Sequence, residues 1–203
     1  MERRRRTERP GAARSLTAVS TSIYPLRIEL RDLKPAIWRT VLVPGSITLD
    51  KLHRVFQIVM GWTNSHLHEF TIGSARYGIP DPDFPDEPAL HNEKRATLSD
   101  CLASAVQAFS YLYDFGDDWE HTVRVEKVVD ADPAVHYPVC VDGANACPPE
   151  DVGGPDGYLD FLHAVSDPKH PEHRAMIEWH GGPFDPRALN VKPINARLAR
   201  LKV

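Results

Sequence analysis

Strand-period and helix-period segments do not alternate strictly along this chain, and that order constrains the fold more than any other feature of the sequence. Residues 23–31 (IYPLRIELR) alternate, with Leu26, Ile28 and Leu30 on one face. Asp32 to Pro35 reads as a turn. Ile37 to Val43 alternates again, with Ile37, Val41 and Val43 opposite Trp38 and Leu42. Together these segments predict an opening β-hairpin, ended by Pro44 and Gly45. Thr48 then suits an N-cap, and Asp50 lies in the first turn, where the helix dipole favours an acid. Leu49, Leu52, Val55, Phe56 and Val59 recur at helical spacing until Gly61 supplies a stop, which predicts a helix over 48–60.

His66 to Tyr77 alternates and predicts a third strand. Residues 78–96 hold Pro80, Pro82, Pro85 and Pro88 among acids and read as an extended surface loop. Thr97 to Asp100 forms a capping box in its Asp form, opening a helix through Leu102, Ala105, Val106 and Phe109. Strands are expected at 109–115 and 119–128, joined by a tight turn at Gly116 and Asp117. The stretch 130–157 is loop-like, and short helices are expected near 156–165, 171–179 and 193–201. The order is ββαβαββ with a helical C-terminal part. This predicts an α+β fold: a mixed or antiparallel sheet of about five strands with two packed helices.

The 203 residues suit one domain plus tails. Residues 1–22 carry six Arg against Glu2 and Glu8, leaving 18 basic against 26 acidic residues in the remainder. The expectation is a disordered basic arm over 1–22 and a single domain over 23–203. An acidic body is a poor match for a phosphate backbone, so extensive nucleic-acid binding is not expected, although the arm could contact nucleic acid. Three cysteines are too few for a secreted disulfide framework. No run of about 18 apolar residues predicts a membrane span, and Arg14, Ser15 and Thr17 interrupt any signal-peptide core. A cytoplasmic location is expected.

The ten histidines are not scattered. His66 and His68 stand two apart on a predicted strand, so both rings are expected on one face. Asp114, Asp117, Asp118 and His121 cluster around the last hairpin turn, beside Trp119. If these elements pair, imidazoles and carboxylates converge. His66, His68, Asp118 and His121 then form a candidate set for a divalent Zn, Mn or Fe ion. The same groups could instead hold a polar ligand or a general base, or only satisfy one another. Cys147, Glu150 and Asp151, in the long loop, complete the candidate pocket. Cys140 and Cys147 are spaced too widely for a zinc ribbon; a metal role with His163, His170 or His173 is an alternative to buried thiols. His-Glu-x-x-His, a phosphate loop and a Gly-x-Ser-x-Gly elbow are absent from the sequence.

Several strings in order are distinctive: Tyr24 to Leu30 (YPLRIEL), Pro35 to Arg39 (PAIWR), Leu52-His53 with Gln57, Gly61-Trp62 and His66 to Phe70 (HLHEF). They continue with Tyr113 to His121 (YDFGDDWEH), Tyr137 to Cys140 (YPVC), Ala146 to Gly154 (ACPPEDVGG), Gly157-Tyr158, Asp167-Pro168, Glu172-His173, Trp179 and Asp185-Pro186. Over roughly 23–195 the chain resembles the plasmid pRiA4b ORF-3-like family. The resemblance implies a compact α+β fold and an association with plasmids or transposable elements, where some relatives carry a resolvase-type passenger label. Neither recombinase constellation, an activated Ser with clustered Arg or an Arg/His/Arg set with a Tyr nucleophile, can be placed here. The leading expectation is a binding or accessory module using the His66/His68 strand, the 114–121 hairpin and the 140–154 loop. One alternative is a metal-dependent hydrolase in which the ion activates water and an Asp or Glu acts as base. Another is a mobile-element DNA accessory protein acting through the arm.

Overall fold

The computed structural model describes residues 21–83, 89–102 and 106–203. The expected arm lies outside the described residues, apart from Thr21 and Ser22. The opening hairpin forms as the alternation predicts: β1 (Ser22–Leu30) pairs antiparallel with β2 (Trp38–Pro44). Helix α1 (Leu49–Met60) follows and stops at Gly61, whose φ of +89° is left-handed. The amides of Gly61 and Trp62 both donate to the Gln57 carbonyl at 2.9 Å, closing the last turn.

The sheet is larger than the sequence suggests. Among the described residues it has nine strands rather than about five, in the order β5-β4-β3-β6-β7-β1-β2-β9, with β8 paired to β1. The expected strand over 66–77 is two: β3 (His68–Ile72) and β4 (Ala75–Gly78), with Gly73 at a φ of +61° between them. The proline-rich stretch contributes β5 (Leu90–Asn92), the sheet's parallel partner of β4. The expected 130–157 loop contains part of the sheet: β8 (Val129–Asp130) and β9 (Val139–Ala144). These are edge pieces, formed because a neighbour offers free backbone groups rather than because they alternate strongly. β6 (Ala108–Tyr113) and β7 (Trp119–Val125) form the last expected hairpin. The second expected helix is short. Thr97 caps α2 (Leu98–Cys101) as predicted, accepting from the Asp100 amide, but Phe109 belongs to β6 and 103–105 are outside the described residues.

Antiparallel register puts one residue in two on the same face. Phe70, Tyr111, His121 and Leu30 stand side by side across β3, β6, β7 and β1. His68, Tyr113 and Trp119 form the next row. This face is buried, together with Leu49, Leu52, Val55, Phe56 and Val59 of α1. The opposite face carries Arg27, Glu29, Thr122 and Arg124. The C-terminal part holds α3 (Gly154–Ser166), α4 (His173–His180) and α5 (Val191–Leu198), close to the expected helices. From α5, the Asn195 side chain clamps edge strand β9: its Oδ1 accepts from the Cys140 amide and its Nδ2 donates to the Cys140 carbonyl, both at 2.8 Å.

Gly154 opens α3 with a φ of +69°, and a Cβ there would lie 2.5 Å from the Asp117 carbonyl oxygen. The loop before α3 can therefore lie on the β6–β7 turn only with glycine at this position. Gly61 is also left-handed, but nothing stands within 4 Å of its would-be Cβ. Gly61→Ala is expected to cost about 1–2 kcal/mol, the conformational term alone. Gly154→Ala is expected to cost roughly 3 kcal/mol or more, because a backbone clash is added. Urea unfolding of both variants checks the ranking.

Candidate functional site

Three connections meet at one end of the sheet: 61–67 between α1 and β3, the 114–118 turn between β6 and β7, and 145–153 between β9 and α3. Glu150 joins them. It accepts from the Thr63 amide at 2.8 Å, from the Thr63 hydroxyl and from the Tyr113 hydroxyl. Burial would raise the Glu150 pKa, but these bonds from Thr63 and Tyr113, with His66 nearby, hold it below its ordinary value. Tyr113 in turn accepts from the Ser65 amide at 3.0 Å, and burial followed by the Glu150 bond raises its own pKa. Trp62 stacks on Tyr113 with ring centroids 4.9 Å apart, and its indole N–H donates to the Pro148 carbonyl at 3.0 Å.

The backbone is bent sharply here. Asn64, Asp114, Asp118 and Asp151 all have φ between +57° and +62°. Asn and Asp tolerate this region, at a cost on the order of 1 kcal/mol each. Asp114 is locked in place: its Oδ1 accepts from the amides of Gly116 at 2.9 Å and Asp117 at 3.3 Å. Its Oδ2 is left for His66. His66 Nε2 lies 3.4 Å from Asp114 Oδ2 and 2.9 Å from Asp151 Oδ1. Asp117 accepts from the Gly153 amide at 3.1 Å, tying the turn to the third connection.

The expected single face for His66 and His68 does not form, because β3 begins at His68 and His66 lies before the ladder. His68 points into the core. Its Nε2 bonds Glu93 Oε2 at 2.7 Å, and its ring stacks on His53 with centroids 3.4 Å apart. His53 bonds the Tyr111 hydroxyl at 2.7 Å and, through its other nitrogen, Asn64. Gln57 also donates to Tyr111, at 3.2 Å. A cleft of about 320 Å³ between the two groups is lined by His53, His66, His68 and Glu93, with Arg54 and Lys94 among its cations.

His121 is fully buried, with Nδ1 on the Tyr111 carbonyl at 3.1 Å and Nε2 without a hydrogen-bond partner among the described residues. Trp119 is buried beside it on β7. Asp118 is exposed, with its amide bonded to the Asp114 carbonyl at 2.7 Å. The set His66, His68, Asp118 and His121 is therefore not brought together. Among the described residues, the group that could hold a metal ion is His66, Asp114 and Asp151, with ligand atoms within 4.8 Å of one another. Cys147 lies behind the site, its sulfur 3.2 Å from the guanidinium of Arg39. Desolvation pushes its thiol up to about 11 despite that cation. Arg39 itself bonds four carbonyls, those of Trp38, Val59, Ala144 and Asn145. Among the described residues no metal-competent group contains a cysteine; His170 bonds the Glu172 amide and His173 the Ala164 carbonyl instead. Tyr113, Thr63, Asn64, His53 and Glu93 were not apparent as site residues from the sequence. Tyr113 has a visible signal, since it sits in phase with Tyr111 on β6; Asn64 and Glu93 have none.

A family model, plasmid pRiA4b ORF-3-like protein, matches residues 22–193. The chain belongs to this family. It is similar to the "Uncharacterized protein y4hQ" of Sinorhizobium fredii, at 40% identity over 177 residues, covering 86% of this chain and 89% of that one. It is also similar to the crystal structure of a "Protein of Unknown Function MM3350" from Methanosarcina mazei Go1, with a TM-score of 0.77 and 35% identity. That match covers 85% of this chain and 96% of the other. The architecture is thus shared with a solved structure at 35% identity, and neither relative's name carries an activity.

Two buried histidines set an acid limit on the fold. Burial first, then His68, lowers His53 from the ordinary imidazole value of 6.5 to about 3. Burial lowers His121 from 6.5 to about 4. Both are neutral in the folded chain and take up protons below the ordinary value when unfolded. Their contribution is thus fully present above pH 6.5 and is lost as pH falls towards about 4 and about 3. Urea unfolding between neutral pH and pH ~5 should show stability dropping by up to about 1.4 kcal/mol per pH unit per histidine. His121→Leu should remove roughly half of that slope. An unchanged slope in the variant would refute the assignment.

Proposed function

We propose that this chain is a binding protein whose ligand is a divalent transition cation, held by His66, Asp114 and Asp151. The observation that carries this reading is that one imidazole nitrogen faces two carboxylate oxygens, at 2.9 and 3.4 Å. A single N–H proton cannot serve both acids well. A cation in its place serves all three groups. Metal–ligand bonds of about 2.1 Å place neighbouring donors roughly 3.0–3.4 Å apart in octahedral or tetrahedral geometry, which matches these spacings. Imidazole with carboxylates suits Zn, Mn or Fe. Asp114 is pre-oriented by two backbone amides, which lowers the ordering cost of binding. His66 and Asp151 are reachable from solvent, with side-chain exposures of 29% and 69%.

Binding is favoured over metal-dependent hydrolysis by the state of Glu150. Adjacent to Asp151, it would be the natural base, yet both its oxygens are engaged by Thr63 and Tyr113. Under this reading residues 23–203 act as one cytoplasmic domain, supported by cysteines at 101, 140 and 147 that are free of disulfides. Among the described residues no helix is long and apolar enough to cross a membrane. A role alongside plasmid or mobile-element DNA would have to come from the basic arm, since the body is acidic.

Zn²⁺ or Mn²⁺ at a hundredfold excess over its Kd should stabilise the protein by about 2.7 kcal/mol in thermal unfolding. His66→Ala, Asp114→Asn and Asp151→Ala should each abolish that gain, whereas Asp118→Asn should leave it intact. Calorimetric titration showing no stoichiometric uptake of Zn²⁺, Mn²⁺ or Fe²⁺ would overturn the reading.

A further inference from the structure

We infer that the groove between α3 and α4 binds an organic cation on an apolar stem, the chemistry of a lysine or arginine side chain. The groove encloses about 280 Å³ and is lined by Phe161, Met176 and Trp179, with Asp151, Asp160 and Glu172 also in its lining. That volume lies at the small end for ligand sites and suits one long side chain. Trp179 is 49% exposed, whereas Trp62 and Trp119 are 2% and 1% exposed. Its indole meets Phe161 edge-on at 5.8 Å, so the exposed ring is oriented by packing. An exposed indole that shares its groove with carboxylates favours a cation, and the apolar lining favours a stem that shields it from water.

The charges around the groove select the same ligand. Among the described residues no Lys or Arg lines it. The cation on α4, Arg174, is engaged with Glu178 at 2.7 Å. Among the described residues the carboxylates of Asp160 and Glu172 have no hydrogen bond or ion pair, so they are available to an incoming ammonium or guanidinium. The excess of acids over bases in residues 23–203 adds a longer-range pull on cations. The inference goes beyond the metal reading. The two share only Asp151, and the groove stands without an ion beside it.

The test follows the Trp179 indole N–H signal in ¹⁵N-labelled full-length protein, assigned with Trp179→Phe, in the presence of EDTA. The probes are n-pentylammonium, the tripeptide acetyl-Gly-Lys-Gly-amide and the neutral control n-pentanol. Both cations should shift the signal saturably, and pentanol should bind roughly fivefold more weakly or worse. An Asp160→Asn/Glu172→Gln double variant should weaken cation binding by about tenfold, with the Trp62 and Trp119 signals unmoved as proof that it is folded. A tighter tripeptide identifies a basic polypeptide segment as the natural occupant; a tighter pentylammonium identifies a free amine. Either outcome upholds the inference. No saturable shift with either cation, or equal affinity for pentanol, overturns it. Because EDTA is present, this outcome is independent of whether His66, Asp114 and Asp151 hold a metal.

Discussion

Two tyrosines in phase on β6 set the terms for everything around them. The ladder turns Tyr111 and Tyr113 into the core, where each hydroxyl must find a partner or cost about 1–3 kcal/mol. Tyr111 finds His53 and Gln57 on α1, which fixes the helix against the sheet. Tyr113 finds Glu150 and the Ser65 amide, which draws two long connections to the end of the sheet. Satisfying two buried hydroxyls thus positions one element of the core and assembles the loops that carry the polar groups. The imidazole stack of His53 and His68 is a by-product of the same demand. One ring serves Tyr111 and the other serves Glu93, so two rings that would ordinarily avoid burial lie face to face.

The convergence of the three connections is costly in backbone terms. Five Asn or Asp residues (Asn64, Asp114, Asp118, Asn145 and Asp151) sit in the left-handed region within them, as do Gly61 and Gly153, and Gly154 follows directly. Such positions persist only where surrounding contacts over-determine them. Here the contacts are Glu150 on Thr63 and Tyr113, Asp117 on Gly153, and Gly154 against the Asp117 carbonyl. The result is a rigid setting in which His66 meets two acids without having to search for them.

Much of this could be read from the sequence, and the remainder has physical reasons. The hairpin β1–β2 and helix α1 are legible because their apolar periods run without interruption to clear stops. The alternation that marks β7 also places His121 with Trp119 and Val123 on the core face, so its burial was legible too. Nearness in number to Asp114, Asp117 and Asp118 was not nearness in space. His66 and His68 separate because the strand starts at the second of them, and period two holds only inside a strand. Strands β5, β8 and β9 left little signal because short edge strands owe their existence to the neighbour that pairs with them. The pairing of Glu93 with His68 had no signal at all: a charge inside a proline-rich stretch reads as solvated. Of the expected pocket, Asp114, Asp117, Glu150, Asp151 and His66 are spatial neighbours in the structure, while Trp119, His121 and His68 belong to the core.

The Asn195 clamp on β9 has a consequence for the assembled sheet. An edge strand normally presents unpaired amides and carbonyls, on which a second chain can add a strand. The carboxamide of Asn195 offers one acceptor and one donor at the spacing of a strand's own backbone, so a single side chain occupies the docking position at Cys140. Helix α5 thereby acts as a terminator of sheet growth. A chain shortened before residue 190 would lose Leu198 from the core and at the same time expose a template for β-augmentation, so its state of association would change along with its stability.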